Sequence, residues 1–162
     1  MIALLLSAAL GAELDRWPYL QQTTPTSVRV VWRTDVASEG TLRWGAAPDA
    51  LTETLSSSSA RQHEVLIEGL EPGSRVYYAV DVDGVEAAGG ADHHVDTPQA
   101  TGSTDPFTFW VVGDSGKSNQ PQADVRDAML AYTGGNGPDM YVHMGDMAYG
   151  SGTDEEFTAH FY

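Results

Sequence analysis

A β-sandwich followed by the first βαβ unit of an α/β sandwich is the fold this sequence predicts, and three observations predict it. From Trp17 to Thr97, short apolar alternations of period two recur between turn signals, with no helical period anywhere. From Phe107 onward the pattern changes to an unbroken apolar run, an amphipathic stretch and a second apolar run. Each of those runs closes on Gly-Asp, at Gly113-Asp114 and at Gly145-Asp146. Parallel strands joined by a crossover helix bring their carboxyl ends to one edge of one sheet. Asp114 and Asp146 are therefore expected side by side.

The elements follow in order. Met1 to Ala12 is apolar but too short to span a bilayer, which takes about 20 such residues. Its Ala9 and Gly11 stand at the spacing of a signal cleavage site, although the basic n-region is missing. Residues 1–12 read as the remnant of an export signal, which implies a secreted or periplasmic protein. In residues 16–98, Val28, Val30 and Trp32 alternate with Arg29, Val31 and Arg33, giving one apolar face. Thr41–Gly45 and His63–Ile67 repeat the alternation, and Gly69-Leu70-Glu71-Pro72-Gly73 makes a turn. Val76, Tyr78, Val80 and Val82 line one face of a long strand that ends in the hairpin signal Asp83-Gly84.

Residues 99–106 are a polar linker punctuated by Gly102 and Pro106, and residues 107–162 carry the α/β pattern. Phe107–Val112 reads as a strand buried on both faces. Gln122–Tyr132 reads as a helix with Pro121 in its first turn; Val125, Ala128, Met129 and Tyr132 share a face, and Gly134-Gly135 ends it. Thr153-Asp154-Glu155-Glu156 is a capping-box sequence that starts a further helix.

Composition narrows the partners. Eight Lys and Arg against 23 Asp and Glu give a net charge of −15, which repels phosphate backbones and argues against a nucleic-acid partner. With no Cys there is no disulfide framework and no thiolate metal site. What remains is oxygen chemistry. Gly at each strand end lets the backbone turn and leaves room for an ion, and two carboxylates converging there suit hard cations. Tyr149 lies three residues past Asp146 on the same loop, and a phenol loses its proton near neutrality only beside a strongly polarising cation, which points to a trivalent ion. Ordinary turn chemistry is the blander reading of a single Gly-Asp; two of them, with the Tyr, favour a metal.

Two resemblances are carried by these residues. The segment Gly69–Tyr78 is similar to the turn into the sixth strand of fibronectin type III modules, with Trp32 where a core Trp is expected. That family's corner Tyr is replaced here by Val76. Gly113-Asp114-Ser115-Gly116 followed by Gly145-Asp146-Met147-Ala148-Tyr149 resembles the first two blocks of purple acid phosphatases, calcineurin-like metallophosphoesterases that often carry a fibronectin III-like N-terminal domain. The resemblance implies that Asp114 and Tyr149 bind Fe(III), that Asp146 bridges to a divalent Fe, Zn or Mn, and that a small phosphorylated substrate is hydrolysed with metal assistance. The family's later blocks, Gly-Asn-His-Glu/Asp, Val-x-x-His and Gly-His-x-His, do not occur here. They would supply the remaining ligands and the general acid beyond Tyr162, so the chain reads as an N-terminal fragment, inactive alone.

Other readings stay open at this stage. Val111-Val112-Gly113-Asp114-Ser115 also resembles the first block of GDS-type serine esterases, with Ser115 as nucleophile, although that family's Asp-x-x-His block is missing. A non-catalytic β-sandwich interaction module with a vestigial tail is the other alternative. Gly116-Lys117-Ser118 echoes the end of a P-loop, but Val111 stands where the first Gly is required. Gly113–Gly116 also echoes chymotrypsin-like proteases, in the wrong sheet context. His93 and His94 are expected on opposite faces, His63 as an exposed strand residue and His143 as a packed histidine near the site. The four Trp read as core or domain-interface residues. The substrate, the second metal and the oligomeric state are not legible.

Overall fold

The computed structural model describes residues 11–161; most of the export-signal stretch, Met1–Leu10, lies outside the described residues. The elements are β1 (Leu14–Thr24), β2 (Ser27–Gly45), β3 (Glu53–Glu68), β4 (Arg75–Val82), β5 (Val85–Ala88), β6 (His94–Asp96), β7 (Phe109–Val112), α1 (Gln120–Tyr132), β8 (Met140–His143) and α2 (Asp154–His160). They fall into two compact units. One takes the chain up to Gln21 with Val28–Ile67 and Arg75–Val95; the other takes Gln22–Ser27, Glu68–Ser74 and everything from Asp96 onward.

The first unit is organised by β2, which at 19 residues absorbs both of the short strands expected from the alternations. Its first half runs beside β1 and β3: Arg33 Nε donates to Asp15 Oδ2 at 2.6 Å, and Arg61 Nε donates to Thr34 O at 3.3 Å. Its second half pairs antiparallel with β4, Leu42 opposite Val80 and Trp44 opposite Tyr78. From β4 the pairing continues to β5 and β6. The six strands, joined through the long β2, make a mostly β architecture consistent with a β-sandwich. Midway along β2, the buried hydroxyls of Thr34 and Ser38 are satisfied locally: Thr34 Oγ1 donates to Val36 O at 2.7 Å and lies 3.1 Å from Ser38 Oγ.

Val28, Val30, Trp32, Leu42, Ile67 and Val80 are fully buried, as their alternation requires. Val31, expected opposite the apolar face, is buried as well; β2 is an interior strand, and an interior strand does not keep one face in water by default. A second correction concerns His63. Instead of lying exposed it is fully buried, stacked on Trp32 with ring centroids 4.9 Å apart and planes 9° apart. Gly40 makes the room, since a Cβ there would stand 2.6 Å from both His63 Nδ1 and Trp32 Cζ2. The imidazole is not orphaned: Nδ1 lies 2.9 Å from Ser57 Oγ and Nε2 3.4 Å from Ser38 Oγ.

Asp83 (φ 49°) and Gly84 (φ 80°) form the expected hairpin turn, with Val82 opposite Val85. The His93-His94 pair is split as alternation demands. His93 packs edge-on to Tyr78 at 5.8 Å, whereas His94 lies 5.8 Å from Tyr77. Trp17 departs from the core reading and is 57% exposed.

In the second unit β7 and β8 pair in parallel, Phe109 opposite Met140 and Val112 opposite His143, with α1 between them in sequence. Their lower ends are pinned: the Thr108 backbone N–H and hydroxyl both donate to Asp139 Oδ2 at 2.6 Å. Asn119 caps α1 by accepting from the Gln122 N–H at 3.2 Å, Pro121 sits in the first turn, and Gly134 and Gly135 leave the helix at positive φ. Two expectations fail here. β7 is not buried on both faces: Phe109 is 63% and Val111 49% exposed, and among the described residues β7 pairs only with β8. Nor is the apolar face of α1 buried, with Tyr132 at 92%. α2 opens with the expected capping box, in which Thr153 Oγ1 accepts from the Glu156 N–H and Glu156 Oε2 accepts from the Thr153 N–H.

Candidate metal centre

The upper ends of β7 and β8 carry the loops that begin at Gly113 and Gly145. Both aspartates sit in the left-handed region, Asp114 at φ 54° and Asp146 at φ 57°, which Asp tolerates better than most residues because its short side chain bonds locally. The loops are laced together by their backbones. Asp114 N donates to Gly145 O at 3.2 Å, Gly116 N to Asp146 O at 2.9 Å, and Tyr149 N to Gly116 O at 2.9 Å. Gly116 is buried at this crossing, and a Cβ on it would run into the Met147–Ala148 backbone. That close approach is why a glycine closes Gly113-Asp114-Ser115-Gly116.

The three residues singled out from the sequence meet. Tyr149 Oη donates to Asp114 Oδ1 at 2.7 Å and to Asp146 Oδ2 at 2.5 Å, so three oxygens from two loops share one proton. Donation to Asp146 and Asp114 pushes the Tyr149 phenol well above its ordinary range. The same hydrogen bond, aided by Asp146, holds the Asp114 carboxyl below its own. Two carboxylates thus keep the phenol protonated, and a cation placed among the three oxygens reverses that balance. The set is hard and all-oxygen, with the protein covering one side, and it fits an ion that prefers carboxylate and phenolate to imidazole or thiolate. Among the described residues no cluster of three or more His, Cys, Asp or Glu could hold a metal; here the third donor is a tyrosine.

Around this point lies an open cleft of about 720 Å³, lined by Asp114, Ser115, Lys117 and Tyr149 and by residues of β7, β8 and α1. Lys117, the one lysine in the chain, places Nζ 5.0 Å from the Tyr149 ring centroid. Sequence reasoning weighed Lys117 only as the end of a phosphate loop; its signal was a single cation inside a loop of a strongly acidic chain. The structure also joins Ser115 to His143, with Oγ 2.7 Å from Nε2. Because His143 Nδ1 accepts from the Gly145 N–H at 3.1 Å, the proton of the neutral ring is on Nε2, and Ser115 Oγ is the acceptor. A general base for a serine nucleophile needs the opposite polarity.

The family model described as "Purple acid Phosphatase, N-terminal domain" matches residues 18–109. The chain belongs to that family. The match covers the β-sandwich and ends before Asp114, so none of Asp114, Asp146 and Tyr149 lies within it. Comparison with curated proteins yields no match. Among solved structures, the chain is similar to PhoD, with a TM-score of 0.59 at 16% identity, over 89% of this chain and 28% of that one. It therefore spans under a third of that structure, and the likeness is one of fold. The human collagen alpha-1(XX) fn3 domain also matches, at 25% identity and a TM-score of 0.44 over 61% of this chain and 99% of the domain.

Proposed function

We propose that the chain is the N-terminal part of a metal-dependent acid phosphatase, in which Asp114 and Tyr149 would hold Fe(III) and Asp146 would be shared with a divalent Fe, Zn or Mn. The observation that carries the reading is the single phenolic proton shared between two carboxylates brought from two strand ends. Family membership rests on the sandwich alone, and the likeness to PhoD extends past residue 109, since it covers 89% of the chain. When bound, such a metal pair supplies Lewis-acid neutralisation of the phosphoryl oxygens of a small phosphate ester.

The chain's own residues have definite tasks in that reaction. Asp114 and Asp146, fixed by left-handed backbone, orient their carboxylates toward one point. With a cation bound, Tyr149 would give up its proton and serve as the third donor. Lys117 sets a positive charge beside the same cleft, within reach of an anionic substrate. Three donors leave an incomplete coordination shell, so this chain by itself is proposed to be inactive, with further ligands and the general acid supplied by sequence after Tyr162. The serine-esterase reading loses support because the Ser115–His143 bond runs the wrong way for a base. The interaction-module reading leaves the convergence of Asp114, Asp146 and Tyr149 without a purpose.

The test is to read the coding sequence past codon 162 and assay its product on a phosphate monoester. The proposal expects Gly-Asn-His-Glu/Asp and Gly-His-x-His blocks, metal-dependent turnover by the longer product, and loss of that turnover in Asp146→Asn. A coding sequence without those blocks, or turnover indifferent to Asp146→Asn, would overturn it.

A further inference from the structure

His143 has a partner on each of the two loops, and neither the composition nor the proposed chemistry accounts for that. It is the last residue of β8, half-buried, with Phe161 edge-on at 5.6 Å. Nδ1 accepts from the Gly145 N–H at 3.1 Å, and Nε2 lies 2.7 Å from Ser115 Oγ. Gly145 precedes Asp146, and Ser115 follows Asp114. An imidazole accepts through one nitrogen while donating through the other, so one ring can tie the loop of one aspartate to the loop of the other.

We infer that His143 is a positioning residue that locks the Asp114 loop to the Asp146 loop and so sets the distance at which the two carboxylates share Tyr149. Three backbone bonds already join the loops, Asp114 N to Gly145 O, Gly116 N to Asp146 O and Tyr149 N to Gly116 O. The imidazole adds a side-chain tie beside them, between Ser115 and Gly145. As a device for metal binding the inference rests on the reading above; as a tie between loops it stands without it.

The experiment uses the full 162-residue chain, first without metal. Amide exchange is followed by NMR in His143→Ala, His143→Gln and Ser115→Ala. His143 touches neither the Gly116 nor the Tyr149 amide. A tie between loops nevertheless makes both exchange faster in His143→Ala, roughly fivefold to tenfold, the effect of losing one hydrogen bond. Ser115→Ala reproduces the increase, the double variant adds little more, and His143→Gln, which still reaches Ser115, restores part of the protection. Ser115→Ala carries the test if His143→Ala does not fold. A response confined to the Gly145 amide overturns the inference.

The second arm loads Fe(III) against citrate. His143→Ala is expected to weaken iron binding by about 10- to 100-fold, as loss of a residue that orients ligands does. Unchanged affinity would overturn the positioning role toward metal. If the unaltered chain takes up no Fe(III) while the exchange result holds, the metal reading fails and the tie between the loops stands.

Discussion

Replacing Gly116 by Ala tests the packing that brings the two loops together. Gly116 is buried and its φ lies outside the left-handed region, so Ala fits the backbone and its cost is steric. The new Cβ would meet Met147 C, Met147 O and Ala148 N inside the 3.0 Å below which Cβ contacts essentially do not occur. These are backbone atoms that cannot rotate away, so the cost belongs with overpacking, about 1–3 kcal/mol. The lower chain entropy of unfolded Ala returns about 0.4–1 kcal/mol, leaving a destabilisation of about 1–2 kcal/mol. Gly137→Ala is the control, because nothing lies within 4 Å of its Cβ position. Urea unfolding of chains labelled with 5-fluorotryptophan resolves Trp110, in the second unit, from Trp17, Trp32 and Trp44 in the first. Gly116→Ala should lower the midpoint of the Trp110 transition and leave the other three in place. Equal midpoints for Gly116→Ala and Gly137→Ala would show that the loops do not cross at Gly116.

Burial holds the His63 imidazole below its usual pKa of 6.5, so the unfolded chain takes up the proton first. Its contribution is complete above about pH 6.5 and declines as pH falls toward its folded pKa, by at most about 1.4 kcal/mol per pH unit. Thermal midpoints between pH 8 and 5 should fall more steeply for the unaltered chain than for His63→Gln; parallel curves would contradict a buried neutral ring. Glu156 accepts from the Gly150, Ser151 and Thr153 N–H groups, and its pKa is depressed by those bonds, Thr153 first. Its contribution is present above about pH 4.5 and lost as pH falls through its lower folded value, so Ser151 and Thr153 amides should lose protection on acidification. Thr153→Ala removes the cap acceptor and should destabilise α2 by about 1 kcal/mol, read as lower helical NMR shifts over Asp154–His160.

Much of the architecture was legible because its signals are local. Asp83-Gly84 specifies a turn with two positive φ angles, Pro121 and Gly134-Gly135 bracket α1, and Thr153 with Glu156 announces α2. The meeting of Asp114, Asp146 and Tyr149 was legible for a topological reason, since a parallel pair has one carboxyl edge. What escaped depends on residues distant in sequence. His63 looked like a polar strand position, and its burial comes from Trp32 on the paired strand β2 and from the missing Cβ at Gly40. Phe109 and Val111 read as core because apolar runs usually are, but hydropathy does not show whether a layer covers the strand's face, and both side chains are exposed. The Ser115–His143 bond joins residues 28 apart. Its polarity is fixed by a third group, the Gly145 N–H, which no sequence motif records.

The decisive observation is the visible absorbance of the chain as Fe(III) is added, alongside Tyr149→Phe. Phenolate bound to a ferric ion absorbs in the visible, and neither carboxylates nor the remaining ordinary side chains imitate it. A band that saturates at one iron per chain and vanishes in Tyr149→Phe, while Tyr141→Phe keeps it, is the expected result. No band, or one that survives Tyr149→Phe, would mean that the three converging oxygens are a hydrogen-bonded turn and not a metal centre.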